Sequence, residues 1–438
     1  MKAIYDSPLP KGWSEEPLAN LVVTRRGYTW EKADEADSAH ADTVPVIRIP
    51  NVQDTLDLTD LVHLRNVSPE ALQKAAVTKD WLLFVGSNGT QDRIGDSVLI
   101  EEDRPMVFAS FLMGIQPKDQ ARMRSDFFGY WMRLHLVHEV FSKTSQQTTG
   151  LANFSWGAAK RLPVRFPNCI DEQERIAASI KVAAKALSAA KAELTATREM
   201  KRSLMCSLFV RGMPGRNAKF QETKIGSVPC GWVVRAIRSV LAEKPDSGTS
   251  PLSRPDPPGT PILNVSCVKD GVCSAADVTY VDVTAEEIAR YRTQAGDFFV
   301  LRGNGNRDFV GTGGLLRTTP EVDTIYSDKL IRLRFNTADV ADRFIPYLWQ
   351  SNVFLTRLQS KAESGSGLWM MSKRDICREL FACPPIDEQE EIVKLLDSTE
   401  SQIIAQARKV EALMDMKRSL LQNLLTGRIR IPEGAIHA

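Results

Sequence analysis

Ile170-Asp171-Glu172-Gln173-Glu174 returns as Ile386-Asp387-Glu388-Gln389-Glu390, an offset of 216 residues (386 − 170), and Met200-Lys201-Arg202-Ser203-Leu204 returns as Met416-Lys417-Arg418-Ser419-Leu420 at the same offset. Two pentapeptides repeated with no gap between them mark a duplication, and an internal repeat decides architecture before any single element does. The repeat continues faintly upstream. Pro10-Lys11-Gly12-Trp13 answers Pro229-Cys230-Gly231-Trp232, Asn88-Gly89 answers Asn304-Gly305, and Phe154 near Gly150 answers Leu368 near Gly365. Likeness is high in the stretches after the first motif and low before it. The chain therefore reads as a domain over residues 1–168, a conserved helix over 169–212, a second domain over 213–384, a second helix over 385–428 and a tail over 429–438.

The stretches after the two Ile-Asp-Glu-Gln motifs carry helix signals. Asp171 with Glu174, and Asp387 with Glu390, have the spacing of a capping box. Pro167, Pro384 and Pro385 close the preceding segments, and no Gly or Pro follows until Gly212 and Gly427. Ile176, Ile180, Leu187, Leu194, Leu204 and Leu208 follow alternating four-and-three spacing, as do Ile392, Leu396, Ile403, Val410, Leu413, Leu420 and Leu424. This is a coiled-coil seam, interrupted equivalently by Lys201 and Lys417, with Gln406 where the first copy has Ala190. At about 1.5 Å per residue, a helix of nearly forty residues reaches roughly 55–60 Å. No small domain buries such a length, so each helix is expected to pair antiparallel with the other and hold the domains apart.

Each domain mixes β-rich and helical runs. Val44–Ile49, Trp81–Val85, Pro261–Val265 and Asp297–Leu301 read as strands, and Phe127–Leu136 and Phe344–Leu358 as helices. The expected fold is α/β (α+β): two similar domains in pseudo-twofold repeat joined by two long antiparallel coiled-coil helices. Polar loops follow the second strand of each domain, Gly86–Arg93 and Arg302–Asp308, and a second polar stretch follows each helical run, Lys143–Thr149 and Lys361–Ser366. Asn, Gln and Arg match purine edges, and Ser, Thr and Lys match phosphate oxygens. The candidate nucleic-acid contacts are Ser87, Asn88, Thr90, Gln91, Arg93, Lys143, Gln146 and Gln147 in the first domain. In the second they are Arg302, Asn304, Asn306, Arg307, Lys361 and Ser364. Asn-Gly is also a common turn dipeptide, so each loop has a plain structural reading as a solvated hairpin.

The 438 residues allow about three domains, with 43% hydrophobic and 25% charged residues, the balance of an ordinary globular protein. Fifty-six basic residues against fifty-four acidic ones leave a net charge of +2, so a grip on nucleic acid must come from local patches or from partners rather than from bulk charge. No run approaches the roughly eighteen apolar residues of a membrane helix, and the first residues lack a signal-like apolar core. A cytoplasmic location is expected. The seven cysteines contain no Cys-x-x-Cys pair, which fits reduced thiols and no zinc site. His135 and His138 share a helical spacing without a completing ligand set.

Together, the Pro-x-Gly-Trp openings, the Asn-Gly loops (Gly-x-Asn-Gly in the first copy), and the glycine-plus-apolar segments leading to Asp-Glu-Gln before Met-Lys-Arg-Ser-Leu helices resemble the specificity subunits of type I restriction–modification systems. The resemblance covers essentially the whole chain. It implies two target-recognition domains, each reading a short half-site in double-stranded DNA, and helices that fix the gap and dock two methyltransferase subunits, with restriction–translocation subunits joining them. It implies no catalysis and no cofactor in this chain: S-adenosylmethionine, ATP and magnesium would belong to the partners.

Two other classes are also compatible with parts of the sequence. A stand-alone DNA methyltransferase is hinted at by Asp256-Pro257-Pro258 and Phe309-Val310-Gly311-Thr312-Gly313. Gly259, however, stands where the first motif needs an aromatic, and the residues after the second do not read as a helix. There is no phosphate-binding Gly-x-x-x-x-Gly-Lys loop. A coiled-coil scaffold without DNA readout would need only the helices, and leaves the matched Asn, Gln and Arg loops unexplained.

Overall fold

Both seams form continuous helices, Ile170–Arg211 and Ile386–Leu424, in a computed structural model that describes residues 5–432 except 38, 41, 90, 145, 149, 150 and 366. They begin two residues earlier than the capping spacing implies. Gln173 N–H donates to the carbonyl of Cys169 at 3.3 Å and Gln389 N–H to that of Pro385 at 3.1 Å. Cys169 and Pro385 thus hold the cap positions, and Asp171 and Asp387 sit inside the first turn. Their carboxylates still face the positive end of the helix dipole. Gly212 (φ +75°) and Gly427 (φ +71°) end the helices in the left-handed region that a side chain disfavours.

The chain divides into two compact units, residues 192–407 and residues 1–191 with 408–438. The division cuts each long helix near its middle, and the unit of residues 192–407 is as long as the repeat offset. Within residues 192–407, Lys201 pairs with Glu400 and Gln406 donates to Glu193 at 3.1 Å, so one helix runs up as the other runs down. Within the other unit, Ile176 and Ile180 share a core with Leu424, and Leu187 and Lys191 lie along the same groove as Met414 and Lys417, giving the same antiparallel order. The heptad positions named from the sequence are buried or half-buried in both helices, while most of their neighbours are exposed.

The two domains share one plan. In the first, a four-stranded sheet runs in the order Val22–Arg26, Leu112–Pro117, Leu82–Val85, Ser97–Leu99. In the second, Asp246–Ser247, Leu330–Leu333, Phe298–Leu301 and Gly313–Leu316 take the same order and continue into two further strands. A second sheet in each domain contains a parallel pair, Val44–Ile47 with Arg104–Phe108 and Thr260–Leu263 with Ile325–Tyr326. The four strands expected from sequence form, shortened at their ends. Each expected helix is split in two: Ser125–Met132 with His135–Thr144, and Phe344–Gln350 with Asn352–Gln359. Trp131 and Trp349, each on the first helix of its pair, fill the cores, each with its indole N–H satisfied, by Tyr5 Oη and by the Gly311 carbonyl, both at 2.8 Å.

Candidate nucleic-acid interface

The two polar stretches of each domain, more than fifty residues apart in sequence, meet in one small antiparallel sheet. In the first domain the order is Gln146–Thr148, Leu151–Asn153, Ser87–Asn88, with Ser87 opposite Asn153 and Asn88 opposite Ala152. In the second it is Gly303–Asn304, Leu368–Met370, Glu363–Gly365, with Gly303 opposite Met370 and Asn304 opposite Trp369. A 3-10 turn follows each inner loop, Gln91–Arg93 and Arg307–Phe309. The candidate loops, for which a plain hairpin is the other reading, therefore lie at the edges of matched three-stranded patches.

In the first domain Ser87 Oγ bonds Asn153 Oδ1 at 2.7 Å, and Asn88 sits beside it, half-buried. Arg93 is held inward: its Nη2 donates to the Val52 carbonyl at 2.6 Å and its Nε to Asp96 at 3.0 Å. Burial works against the charge on Asp96, yet hydrogen bonds from His138 and Arg93 hold its carboxyl below the usual range. His138 thus has a structural partner, at 3.3 Å. Lys143 is exposed and pairs with Glu139 one turn earlier. Gln91 lies on the 3-10 turn and Gln146 and Gln147 lie on the outer strand; Thr90 and Gly150 fall outside the described residues.

In the second domain Asn304 Oδ1 accepts the Asn306 N–H at 2.9 Å and Asn306 Oδ1 accepts the Asp308 N–H at 3.0 Å, a pair of side-chain turns that fixes the loop. Arg307 lies over the Trp369 ring at 4.9 Å, with its Nη2 donating to the Gln359 carbonyl at 3.5 Å, which sets its planar fork at the edge of the patch. Arg302 is half-buried behind it, and Ser364 is exposed on the outer strand. Lys361 pairs with the buried carboxylate of Glu379, which also holds Arg357 at 2.7 Å. Phe309, Leu368 and Met370 are exposed here. In the sequence these apolar side chains look like core residues, and nothing there signals their exposure. Together the patch offers amide and guanidinium donors and acceptors beside apolar surface, the chemistry that reads base edges and thymine methyls.

The fragments with methyltransferase echoes take other conformations. Phe309–Gly313 runs from a 3-10 turn into the strand Gly313–Leu316, so its glycines open no helix. The carbonyl of Pro258 accepts from Arg254 Nε at 2.8 Å within a loop between two strands. Among the described residues no group of three His, Cys, Asp or Glu side chains could hold a metal ion, and no helix is long and apolar enough to cross a membrane.

A duplicated α/β protein with two matched polar patches and two paired long helices is the class defined by this geometry. The resemblance drawn from the motifs to type I specificity subunits holds along the chain. It is 24% identical over 424 residues to the type I restriction enzyme EcoKI specificity subunit of Escherichia coli (strain K12), covering 95% of this chain and 87% of that one. It is 20% identical over 425 residues to the StySPI specificity subunit of Salmonella potsdam, covering 96% and 89%. Its fold is similar to that of the type I restriction–modification S subunit from M. genitalium, with a TM-score of 0.56 at 12% identity and coverage of 96% and 97%. No protein-family profile matches the chain.

Proposed function

We propose that this chain is the sequence-specific DNA-binding specificity subunit of a type I restriction–modification complex. Each domain reads one short half-site of a two-part double-stranded target through its three-stranded patch. The long helices set the gap between half-sites and dock two methyltransferase subunits, with restriction–translocation subunits completing the complex in the cytoplasm. Chemistry belongs to those partners, which bind S-adenosylmethionine, ATP and magnesium; this chain is not a catalyst. The observation that most supports the reading is the duplicated meeting of the Asn-Gly loop and the second polar stretch in one sheet per domain. Conserved helices and divergent patches are what two different readings on one frame require, and linking two weak readings raises affinity and specificity together.

Mapping adenine methylation in the source cells with and without the gene tests this. Loss of a motif of two short blocks separated by a fixed gap is the expected result. Loss of a contiguous motif would refute the assignment of one half-site to each domain. No change, with no DNA binding by the purified assembly, would leave a scaffold.

A further inference from the structure

We infer that the second domain reads the 5-methyl group of a thymine in the DNA major groove, through an apolar pair, Leu368 and Met370, on the outward face of its three-stranded patch. The inference rests on the reading of this patch as a base-reading surface. Strand register sets the two faces. Gly303 and Glu363 both stand opposite Met370, and Gly365 stands opposite Leu368, so the side chains of Met370, Leu368 and Glu363 share one face. Trp369 between them turns to the other, where it packs half-buried against the domain core and carries Arg307 on its ring. Leu368 and Met370 are left 50% and 39% exposed.

Gly303 makes room for this pair. A Cβ on Gly303 would collide with Met370 Sδ, so the methionine lies across a position that has no side chain. The first domain has Ser87 and Asn153 at the same two places, and Ser87 Oγ donates to Asn153 Oδ1 at 2.7 Å. One copy thus carries a polar pair where the other carries bare backbone under a thioether. Covering the exposed pair is favourable, but two side chains are far less than the roughly 800 Å² per partner of a stable protein interface. The neighbouring charge narrows the occupant further. Glu363 is exposed beside Met370, and Lys361, two residues before it, is drawn instead to Glu379. A carboxylate in this row repels phosphate oxygens, so the row suits base edges and not the backbone. In the major groove the thymine methyl is the apolar group a base edge presents, and a cytosine amino group beside it suits the carboxylate. A flexible thioether moulds readily to a methyl.

The test is competition binding of the assembled complex to duplexes of its own two-part target, recovered by selection from a random pool. Each thymine is replaced in turn by deoxyuridine, which lacks only the methyl. One or two replacements in one half-site should weaken binding about three- to fivefold. The double variant Leu368→Ser with Met370→Ser should bind the thymine and deoxyuridine duplexes alike, with its reading of the other half-site unchanged. A two-part target with no methyl-dependent thymine, or a penalty that persists in the double variant, would overturn the inference while leaving the domain a base reader through other groups. Loss of partner subunits from the double variant would assign the pair to a protein contact and overturn it equally. If no two-part target is recovered, the reading of the patch falls and the inference with it.

Discussion

The indole N–H of Trp232 donates to the buried carboxylate of Glu388 at 3.0 Å, and Trp13 makes the same bond to Glu172 at 3.3 Å in the other copy. The tryptophan that opens each domain and the glutamate that opens the following helix are two halves of one contact. Each clasp has a third member just beyond the end of a long helix. Glu388 also accepts from Met213 N–H at 3.0 Å and Asn217 Nδ2 at 2.7 Å, and Glu172 accepts from Arg430 at 2.8 and 2.5 Å. The neighbouring glutamines repeat the theme. Gln173 bonds the Pro167 carbonyl at 2.8 Å and the Arg124 N–H at 2.9 Å, and Gln389 the Pro384 carbonyl at 2.9 Å and the Ala341 N–H at 3.0 Å. The repeated motif is a buried joint between strand, helix start and helix end.

Replacing Glu388 by Ala therefore strands three donors at once, the buried Trp232 indole and the half-buried Met213 N–H and Asn217 amide. The expected cost is about 2–4 kcal/mol, seen as a fall in Tm of about 5–10 °C. Glu388→Gln, which keeps an acceptor, should lose less. Equal Tm values for wild type and Glu388→Ala in a thermal unfolding experiment would show that the carboxylate is not a structural clasp.

This joint marks the boundary of what the sequence made legible. The duplication, the helix spans and the seam register follow from apolar spacing, which tertiary contacts leave intact. The splits in the domain helices do not. The apolar run passes straight through Ser351, but its backbone is extended and its Oγ donates to the Leu348 carbonyl at 2.5 Å, a local bond that competes with the helix. Arg133 ends the other helix with its guanidinium drawn to Ser97. The three-stranded patches were equally hidden. Their strands are two or three residues long, too short to carry a period, and the pairing of Ser87 with Asn153 is fixed by the surrounding fold. The candidate residues were found by type; their company was not.

The Lys201–Glu400 pair, with side chains 13% and 16% exposed, sits within a mainly apolar seam. Removing one partner leaves a half-enclosed charge, whereas removing both lets the seam close over. Lys201→Met alone should cost about 1–3 kcal/mol, while Lys201→Met with Glu400→Met should be near neutral. A double-mutant cycle by urea unfolding measures this directly, and additive losses would mean the two residues do not act as a pair.

Tyr5 Oη accepts from both Trp131 Nε1 at 2.8 Å and Arg165 N–H at 3.0 Å. Tyr5→Phe leaves both donors buried and should cost about 1–3 kcal/mol at neutral pH. Burial, partly offset by these hydrogen bonds, pushes the phenol from 10.0 up to about 12. The folded protein thus favours the neutral form, so this contribution is intact below pH 10 and is lost as pH rises toward 12. Stability measured across that interval should fall more steeply for the wild type than for Tyr5→Phe; parallel curves would contradict the assignment.

Residues 192–407 contain a complete core of their own. Met205, Leu208 and Phe209 from one helix half, Ile392 and Leu396 from the other, and Phe298, Phe344 and Trp349 from the domain form one buried cluster. The fragment should fold alone and unfold in a single cooperative transition. Circular dichroism with urea titration checks it, and a broad non-cooperative loss of helix would show that this unit depends on the rest of the chain.

The second domain's patch supplies the sharpest functional test. Asn304 and Arg307 sit on the same loop, one held by a side-chain turn and the other stacked on Trp369. If they read base edges, alanine at either position removes about 1–3 kcal/mol of discrimination per lost bidentate contact, confined to one half-site. Alanine at the exposed Lys143 of the other domain, in contrast, should weaken binding evenly across sequences and flatten its salt dependence. Binding of the assembled complex to duplexes altered in one half-site at a time, at fixed salt, separates these effects. Relaxation of both half-sites by Asn304→Ala or Arg307→Ala, or of neither, would remove these residues from base readout.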